Sequence, residues 1–266
     1  MTTFIRDHAL LVYFVLAYLF SWTMVALIPV SFVFALLALF GPALAAILVT
    51  SVSDGRRGLH DLFRRLTIWR VGVVWYALAI GVPLLVAMFA QAAHALVVGG
   101  PIGMSASTPL PLMLILALLV VGEEIGWRGF ALPRLQHRYN GLAASLILGT
   151  VWACWHLANA TIPGLEAYRS SFPAFLFFVL GQTIFFTWMW NRTAGSLLLV
   201  WILHAMVNTS INLFFVGDQA QEWWFAGAAL AVVAMVVLLA DGPELARRPV
   251  RKVVLEQSLA DARSSR

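Results

Sequence analysis

The chain has 266 residues, of which 62% are hydrophobic and 11% charged, and this balance excludes an ordinary soluble domain. Its net charge of +5 does not indicate a nucleic acid partner, because nearly all basic residues fall on one alternating side of the predicted membrane topology. The single cysteine, Cys154, excludes an intrachain disulfide. We therefore predict an integral membrane protein that has membrane lipid as a partner and binds no nucleic acid.

Runs of about 20 apolar residues match the thickness of the hydrocarbon core of a bilayer. We predict an all-α fold, a polytopic transmembrane helix bundle of about eight spans, forming a single membrane-embedded domain over residues 1–266. Pro29 separates the first span from the second. In chain order the predicted spans are 9–29, 31–53, 71–98, 110–127, 142–160, 172–190, 195–216 and 222–240.

The loop between the second and third spans has five arginines, which predicts that it is cytoplasmic. By alternation, both termini are then cytoplasmic and residues 241–266 form a basic cytoplasmic tail. The compact chain favours a bacterial cytoplasmic (inner) membrane as its location. The loop arginines are Arg56, Arg57, Arg64, Arg65 and Arg70.

Two carboxylates and an arginine end the fourth apolar run, in the stretch VGEEIGWRGF. An ionisable side chain at mid-bilayer costs about 2.5–3.5 kcal/mol on insertion scales, so it usually has a partner or a function. Glu124 and Arg128 are four residues apart, which predicts a structural ion pair on one helix face. Glu123 is rotated by about 100° from Glu124 and is predicted to point elsewhere.

Two later spans also contain polar residues at helical spacing. Trp152 and His156 are four residues apart in one span, and His204 and Asn208 are four apart in another. At about 1.5 Å per residue, Glu123, His156 and His204 lie roughly 16–22 Å from cytoplasmic anchor residues of their helices. The spacing therefore predicts that three helices bring polar groups to a similar level in the membrane.

A glutamate, two histidines and an asparagine suit hydrolysis of an amide. Glu123 and His156 could activate water by general acid–base chemistry, and His204 and Asn208 could stabilise an oxyanion, with no cofactor. In the zinc-dependent alternative, Glu123, His156 and His204 would form a His₂Glu metal set. The sequence has no HExxH motif, which excludes a zinc protease of the site-2 type. Every aspartate lies outside the predicted spans, which excludes an aspartyl dyad in the membrane.

The three motifs, Glu123-Glu124-xxx-Arg128, Trp152-xxx-His156 and His204-xxx-Asn208, resemble those of the CAAX-processing and bacteriocin-processing (CPBP or Abi) membrane proteases. The resemblance covers roughly residues 36–212, with a catalytic core at about 36–216. It implies a glutamic-type intramembrane endopeptidase in which Glu123 and His156 activate water. It also implies that His204 and Asn208 form the oxyanion site and that Glu124 and Arg128 are structural. Trp152 stands where the family usually has Phe, and we expect this difference to matter little.

The expected substrate is a membrane-associated peptide or protein, with prenylated and other lipidated forms included. It is expected to reach the site from the cytosol or sideways from lipid. Two other functions remain open from the residues alone. One is a transporter that uses Glu123 and His156 as a proton relay. The other is a non-proteolytic bacteriocin-immunity membrane protein.

Overall fold

A computed structural model of the chain describes residues 2–104, 108–162, 165 and 167–246. All regular elements in these residues are helical, which confirms the all-α prediction. Short 3₁₀ segments lie at Arg65–Thr67, His156–Thr161 and Gly242–Glu244, and a π-helical segment lies at Ile125–Ala131. The α-helices are α1 Thr2–Asp7, α2 Ala9–Ala26, α3 Val33–Ala38, α4 Gly41–Ser53, α5 Gly55–Arg64, α6 Val73–Val97, α7 Leu110–Leu119, α8 Val121–Glu124, α9 Leu132–Gln136, α10 Gly141–Trp155, α11 Ala167–Ser170, α12 Phe172–Arg192, α13 Leu197–Phe214 and α14 Gln219–Asp241.

Within the described ranges, seven helical stretches are long and apolar enough to cross a membrane, as expected of a multi-pass membrane protein. They correspond to seven of the eight predicted spans, although the stretch that was predicted as 110–127 continues to Gln136. The seven stretches are Ala9–Ala26, Val73–Val97, Leu110–Gln136, Gly141–Thr161, Phe172–Arg192, Leu197–Phe214 and Ala220–Glu244.

The predicted span 31–53 is wrong as a continuous helix, because it is broken between α3 and α4. Pro42 has no N–H with which to bond the carbonyl of Ala38, four residues earlier, so a helix cannot run regularly through this point. The Ser21 hydroxyl of α2 donates to that carbonyl instead, at 2.7 Å. The remaining α4 has 13 residues, and at about 1.5 Å per residue it is too short to cross the bilayer alone.

Three of the spans begin at polar residues that cap the helix. The side chains of Asn140, Ser196 and Asp218 accept hydrogen bonds from backbone N–H groups of the first turns of α10, α13 and α14. Such bonds satisfy donors that would otherwise have no partner at a helix start. These helices therefore start at positions that the polar residues define.

The segments rich in arginine lie together at one end of the bundle, which we call the basic end. Arg134 donates to Asp54 at 2.5 Å, and the Ser196 hydroxyl donates to the carbonyl of Ile68 at 2.6 Å. These contacts join loops that follow different helices. The basic end comprises residues 54–72, 132–140 and 191–196, which contain the arginines, and residues 241–246, where Asp241 pairs with Arg192. The predicted basic tail beyond residue 246 lies outside the described residues.

The other end of the bundle, which we call the opposite end, contains few charges. Gln91 donates to the carbonyls of Gly103 and Phe214, both at 2.7 Å, and thereby joins two loops there. Of the described arginine and lysine residues, only Arg169 lies in these loops. The opposite end comprises the described residues of 27–32, 98–109, 162–171 and 215–218. The two ends thus differ strongly in charge.

Candidate active site

The helix that holds the two glutamates changes to π-helical geometry just after them, over Ile125–Ala131. The N–H of Leu132 bonds the carbonyl of Trp127, five residues earlier. Such widened turns are rare and frequently occur at functional sites. Gly126 allows this segment to lie directly against α2 and α4, because a Cβ there would collide with Tyr13 and Pro42.

Glu124 is the centre of a buried charged cluster. Its Oε1 accepts a hydrogen bond from Arg128 Nη1 at 2.8 Å and lies 2.7 Å from His204 Nδ1. The Arg128 guanidinium lies 4.2 Å from the ring centroid of Trp152 and 4.4 Å from that of Phe186. Both charged side chains of the pair have no exposed surface. The four-residue spacing predicted the contact between Glu124 and Arg128, but it did not identify His204 as a third member.

The orientation of His204 follows from this contact. An ionised carboxylate only accepts hydrogen bonds, so Nδ1 of His204 must hold the proton that it shares with Glu124. The other ring nitrogen, Nε2, is then an acceptor in neutral histidine and a donor in the imidazolium. The oxyanion-donor role predicted for His204 would therefore require its doubly protonated form.

Glu123 lies in a different environment from Glu124. Its Oε2 accepts a hydrogen bond from the indole N–H of Trp152 at 2.9 Å. Trp152 also contacts both histidine rings, with centroids 5.6 Å from His156 and 5.1 Å from His204. Phenylalanine could not donate this bond, so the tryptophan at this motif position has a contact that we did not expect from the sequence.

His156 lies where the α-helix α10 ends and a 3₁₀ segment begins. Its Nδ1 is 2.8 Å from the carbonyl oxygen of Trp152. A carbonyl can only accept, so Nδ1 holds the proton, and Nε2 of the neutral ring keeps a lone pair. The ring stacks on Tyr168, with centroids 5.6 Å apart and planes 12° apart, and meets the edge of Phe175. Tyr168 was not identified from the sequence, because it belongs to no motif.

The four predicted catalytic side chains line one cavity of about 470 Å³. They come from three separate membrane-spanning stretches. Glu124 and Arg128 do not line it, and the remaining wall is mostly apolar. The structure thus brings together every residue predicted to act in catalysis and leaves the predicted ion pair outside the cavity, where Glu124 contacts His204. The four are Glu123, His156, His204 and Asn208.

The cavity extends from these residues toward the opposite end. Its lining residues lie between Thr108 and Glu123 along α7 and α8, and between His204 and Phe215 along α13. In α12 it includes Phe178 and Gln182, in the half of the helix that is remote from the basic end. This direction differs from the expected access from the side of the arginine-rich loops.

The zinc alternative requires Glu123, His156 and His204 to meet at one point, at ligand distances of about 2.0–2.2 Å. In the part of the chain that the structure describes, no three His, Cys, Asp or Glu side chains are grouped so that they could hold a metal ion. The three side chains therefore do not fit a single zinc ion as they are arranged, and their joint binding of one would require them to move.

Comparisons with known proteins identify relatives of the central part of the chain. Residues 105–210 match the family model described as type II CAAX prenyl endopeptidase, Rce1-like. That range includes all three motifs. A CAAX prenyl protease 2 from Methanococcus maripaludis is 30% identical over 146 residues, which are 52% of this chain and 53% of the relative. The match therefore spans about half the length of that protein.

Proposed function

We propose that this protein is an intramembrane endopeptidase, because residues 105–210 match the family model described as Rce1-like type II CAAX prenyl endopeptidase. It hydrolyses a peptide bond in a membrane-associated peptide or protein, which can be prenylated or otherwise lipidated, in a bacterial cytoplasmic membrane. The observation that supports this proposal most directly is the shared cavity of Glu123, His156, His204 and Asn208.

In the proposed reaction, Glu123 and His156 activate a water molecule. Trp152 holds Oε2 of Glu123, which leaves Oε1 to accept a proton from water. His156 can accept or relay a proton at Nε2, because its Nδ1 is bound to a carbonyl. The water oxygen attacks the carbonyl carbon of the substrate, and the C–N bond then breaks as the leaving amine accepts a proton from Glu123 or His156.

The tetrahedral intermediate bears a negative oxygen that needs hydrogen-bond donors. The amide of Asn208 and the protonated Nε2 of His204 are proposed to supply them. Donors in a site with little water are most effective at stabilising developing charge. Glu124 holds His204 through the contact at Nδ1 and leaves Nε2 for the oxyanion, so the cluster of Glu124 and Arg128 positions a catalytic group without touching the substrate.

No cofactor is proposed, since these residues supply a base, an acid and an oxyanion site. If zinc did bind Glu123, His156 and His204, it would supply Lewis-acid activation of water. The arrangement of the three side chains favours the metal-free mechanism. Treatment with a chelator distinguishes the two.

The test is hydrolysis of quenched fluorescent peptides by the purified full-length protein, with prenylated and acylated substrates compared. We expect Glu123→Ala and His156→Ala to lose activity. Matched controls are Glu244→Ala and His60→Ala, which change the same residue types at the basic end and retain activity. Undiminished hydrolysis by Glu123→Ala would overturn the mechanism. Loss of hydrolysis with chelator, followed by recovery with zinc, would replace it with the metal-dependent mechanism.

A further inference from the structure

We infer that the catalytic cavity opens to the side of the membrane opposite the arginine-rich loops, so that its substrate is a polypeptide segment at the extracytoplasmic surface. The identity of the occupant as a substrate rests on the proposed function. The direction of the opening rests on the cavity, the buried layer beneath it and the distribution of charge.

The lining of the cavity defines its direction. On each helix that contributes, the lining residues lie between the catalytic level and the opposite end. On α13 they begin at His204 and continue outward through Asn208 and Asn212. On the stretch after α10 they continue from His156 to Ile162. No lining residue comes from the described segments of the basic end.

A layer of large side chains separates the cavity from the basic end. Trp127, Arg128, Phe130 and Phe186 have no exposed surface. Arg128 contacts Phe186 within this layer, and Tyr13 packs against Phe130 with ring centroids 4.7 Å apart. A peptide could not pass through such close packing without displacing a buried ion pair. Access from the arginine-rich side is therefore blocked in this structure.

The charges of the two ends orient the bundle. Short loops with many arginines remain in the cytoplasm of bacterial membranes. Three described segments that contain arginine meet at one end, whereas Arg169 is the single described basic residue in the loops of the other. The basic end is then cytoplasmic, and the cavity opens outward. Of the two predicted routes, the cytosol or sideways from lipid, this orientation replaces entry from the cytosol.

The outer part of the cavity suits a peptide backbone. The amide side chain of Asn159 and the hydroxyl side chain of Thr209 line it between apolar surfaces. Such groups can hydrogen-bond peptide N–H and C=O groups that enter a poorly hydrated space, where unpaired polar groups are costly. A segment just outside the membrane could therefore descend to Glu123 and keep its hydrogen bonds.

Cysteine accessibility in intact cells tests the direction of the opening without requiring hydrolysis. In a Cys154→Ser background, Thr209→Cys places a thiol in the cavity and His60→Cys places one at the exposed basic end. The probe is the small, membrane-impermeant thiol reagent MTSET. Unreacted thiols are then counted by a gel shift after denaturation. We expect Thr209→Cys to react in intact cells and His60→Cys to react only after permeabilisation.

Three outcomes would overturn the inference. Reaction of Thr209→Cys only after permeabilisation would place the opening in the cytoplasm. Reaction of His60→Cys in intact cells would reverse the orientation of the bundle. Failure of Thr209→Cys to react even in permeabilised cells would show that the cavity is closed to water. The same pattern is expected with Glu123→Gln added, so loss of the proposed activity would not be mistaken for a failure of the inferred direction.

Discussion

Glu123 and Glu124 are adjacent in the sequence, yet they lie in two regions with different chemistry. Glu124 is in a packed cluster where Arg128 and His204 share one of its oxygens. Glu123 lines a cavity and has a single hydrogen bond from Trp152. The difference shows how a membrane protein can bury charge in two ways. One carboxylate is neutralised by partners, and the other is left able to exchange a proton.

The largest expected effect comes from removing the acid–base group on the cavity side. Glu123→Gln should lower the rate of hydrolysis by about 10²–10⁴-fold, because general acid–base groups contribute factors of that size. The temperature of thermal unfolding should change little, since the amide fits the same space. Rate and unfolding are measured on the same purified sample. If the variant unfolds at a lower temperature but retains its rate of hydrolysis, Glu123 has a structural role like that of Glu124.

On the cluster side, Arg128→Met should remove the buried guanidinium that pairs with Glu124 and leave that carboxylate with His204 as its described partner. Breaking a buried pair in this way costs about 3–5 kcal/mol of unfolding free energy. The measurement is unfolding in a titration with sodium dodecyl sulfate. The double variant Glu124→Gln/Arg128→Met is the control and should recover part of the loss, because no carboxylate then lacks its guanidinium partner. Wild-type stability in Arg128→Met would mean that the pair is not needed for packing.

A smaller effect on rate is expected from Trp152→Phe, which keeps an aromatic ring and removes the donor to Glu123. A hydrogen bond to a charged group contributes about 1.5–3 kcal/mol, so kcat should fall by about tenfold or more, with KM little changed. Trp188→Phe is the matched control, because Trp188 donates to Asp241 at 2.5 Å near the basic end. Equal loss of kcat in both variants would indicate a general packing effect.

The smallest effect is expected from the ion pair of Arg134 with Asp54, whose side chains are 31% and 45% exposed. Solvent screens such pairs, so Asp54→Asn should change the unfolding free energy by only about 0–1 kcal/mol. The titration used for Arg128→Met measures it. A loss as large as that of Arg128→Met would contradict the view that burial makes the difference between the two pairs.

Local spacing in the sequence was sufficient for relations within one helix. The four-residue separation placed Arg128 beside Glu124, and the helical period turned Glu123 away from both. Contacts between helices depend on the rotation of each helix about its axis, which apolar runs without amphipathic faces do not define. For this reason neither the contact of His204 with Glu124 nor the bond from Trp152 to Glu123 was predicted.

Two departures from regular helical geometry also could not be predicted from the sequence pattern. The π-helical segment Ile125–Ala131 is apolar and helical by composition, and only its packing against Tyr13 and Pro42 shows why a wider turn occurs there. The break before Gly41 depends on Ser21 of another helix, whose hydroxyl takes over the carbonyl that Pro42 cannot bond. A hydropathy pattern does not include such contacts between helices, so it predicted one span too many.

The layer of Trp127, Arg128, Phe130 and Phe186 has an electrical consequence. A water-filled cavity that reaches the middle of a membrane shortens the distance over which the transmembrane potential falls. The energy of an elementary charge changes by about 2.3 kcal/mol when the charge moves across a potential of 100 mV. The layer leaves no exposed surface on these side chains for ions or protons to follow. Arg128, the charged member of the layer, is paired with Glu124, so the field acts on two charges that cancel. The same packing thus lets the membrane contain a deep cavity and remain an insulator.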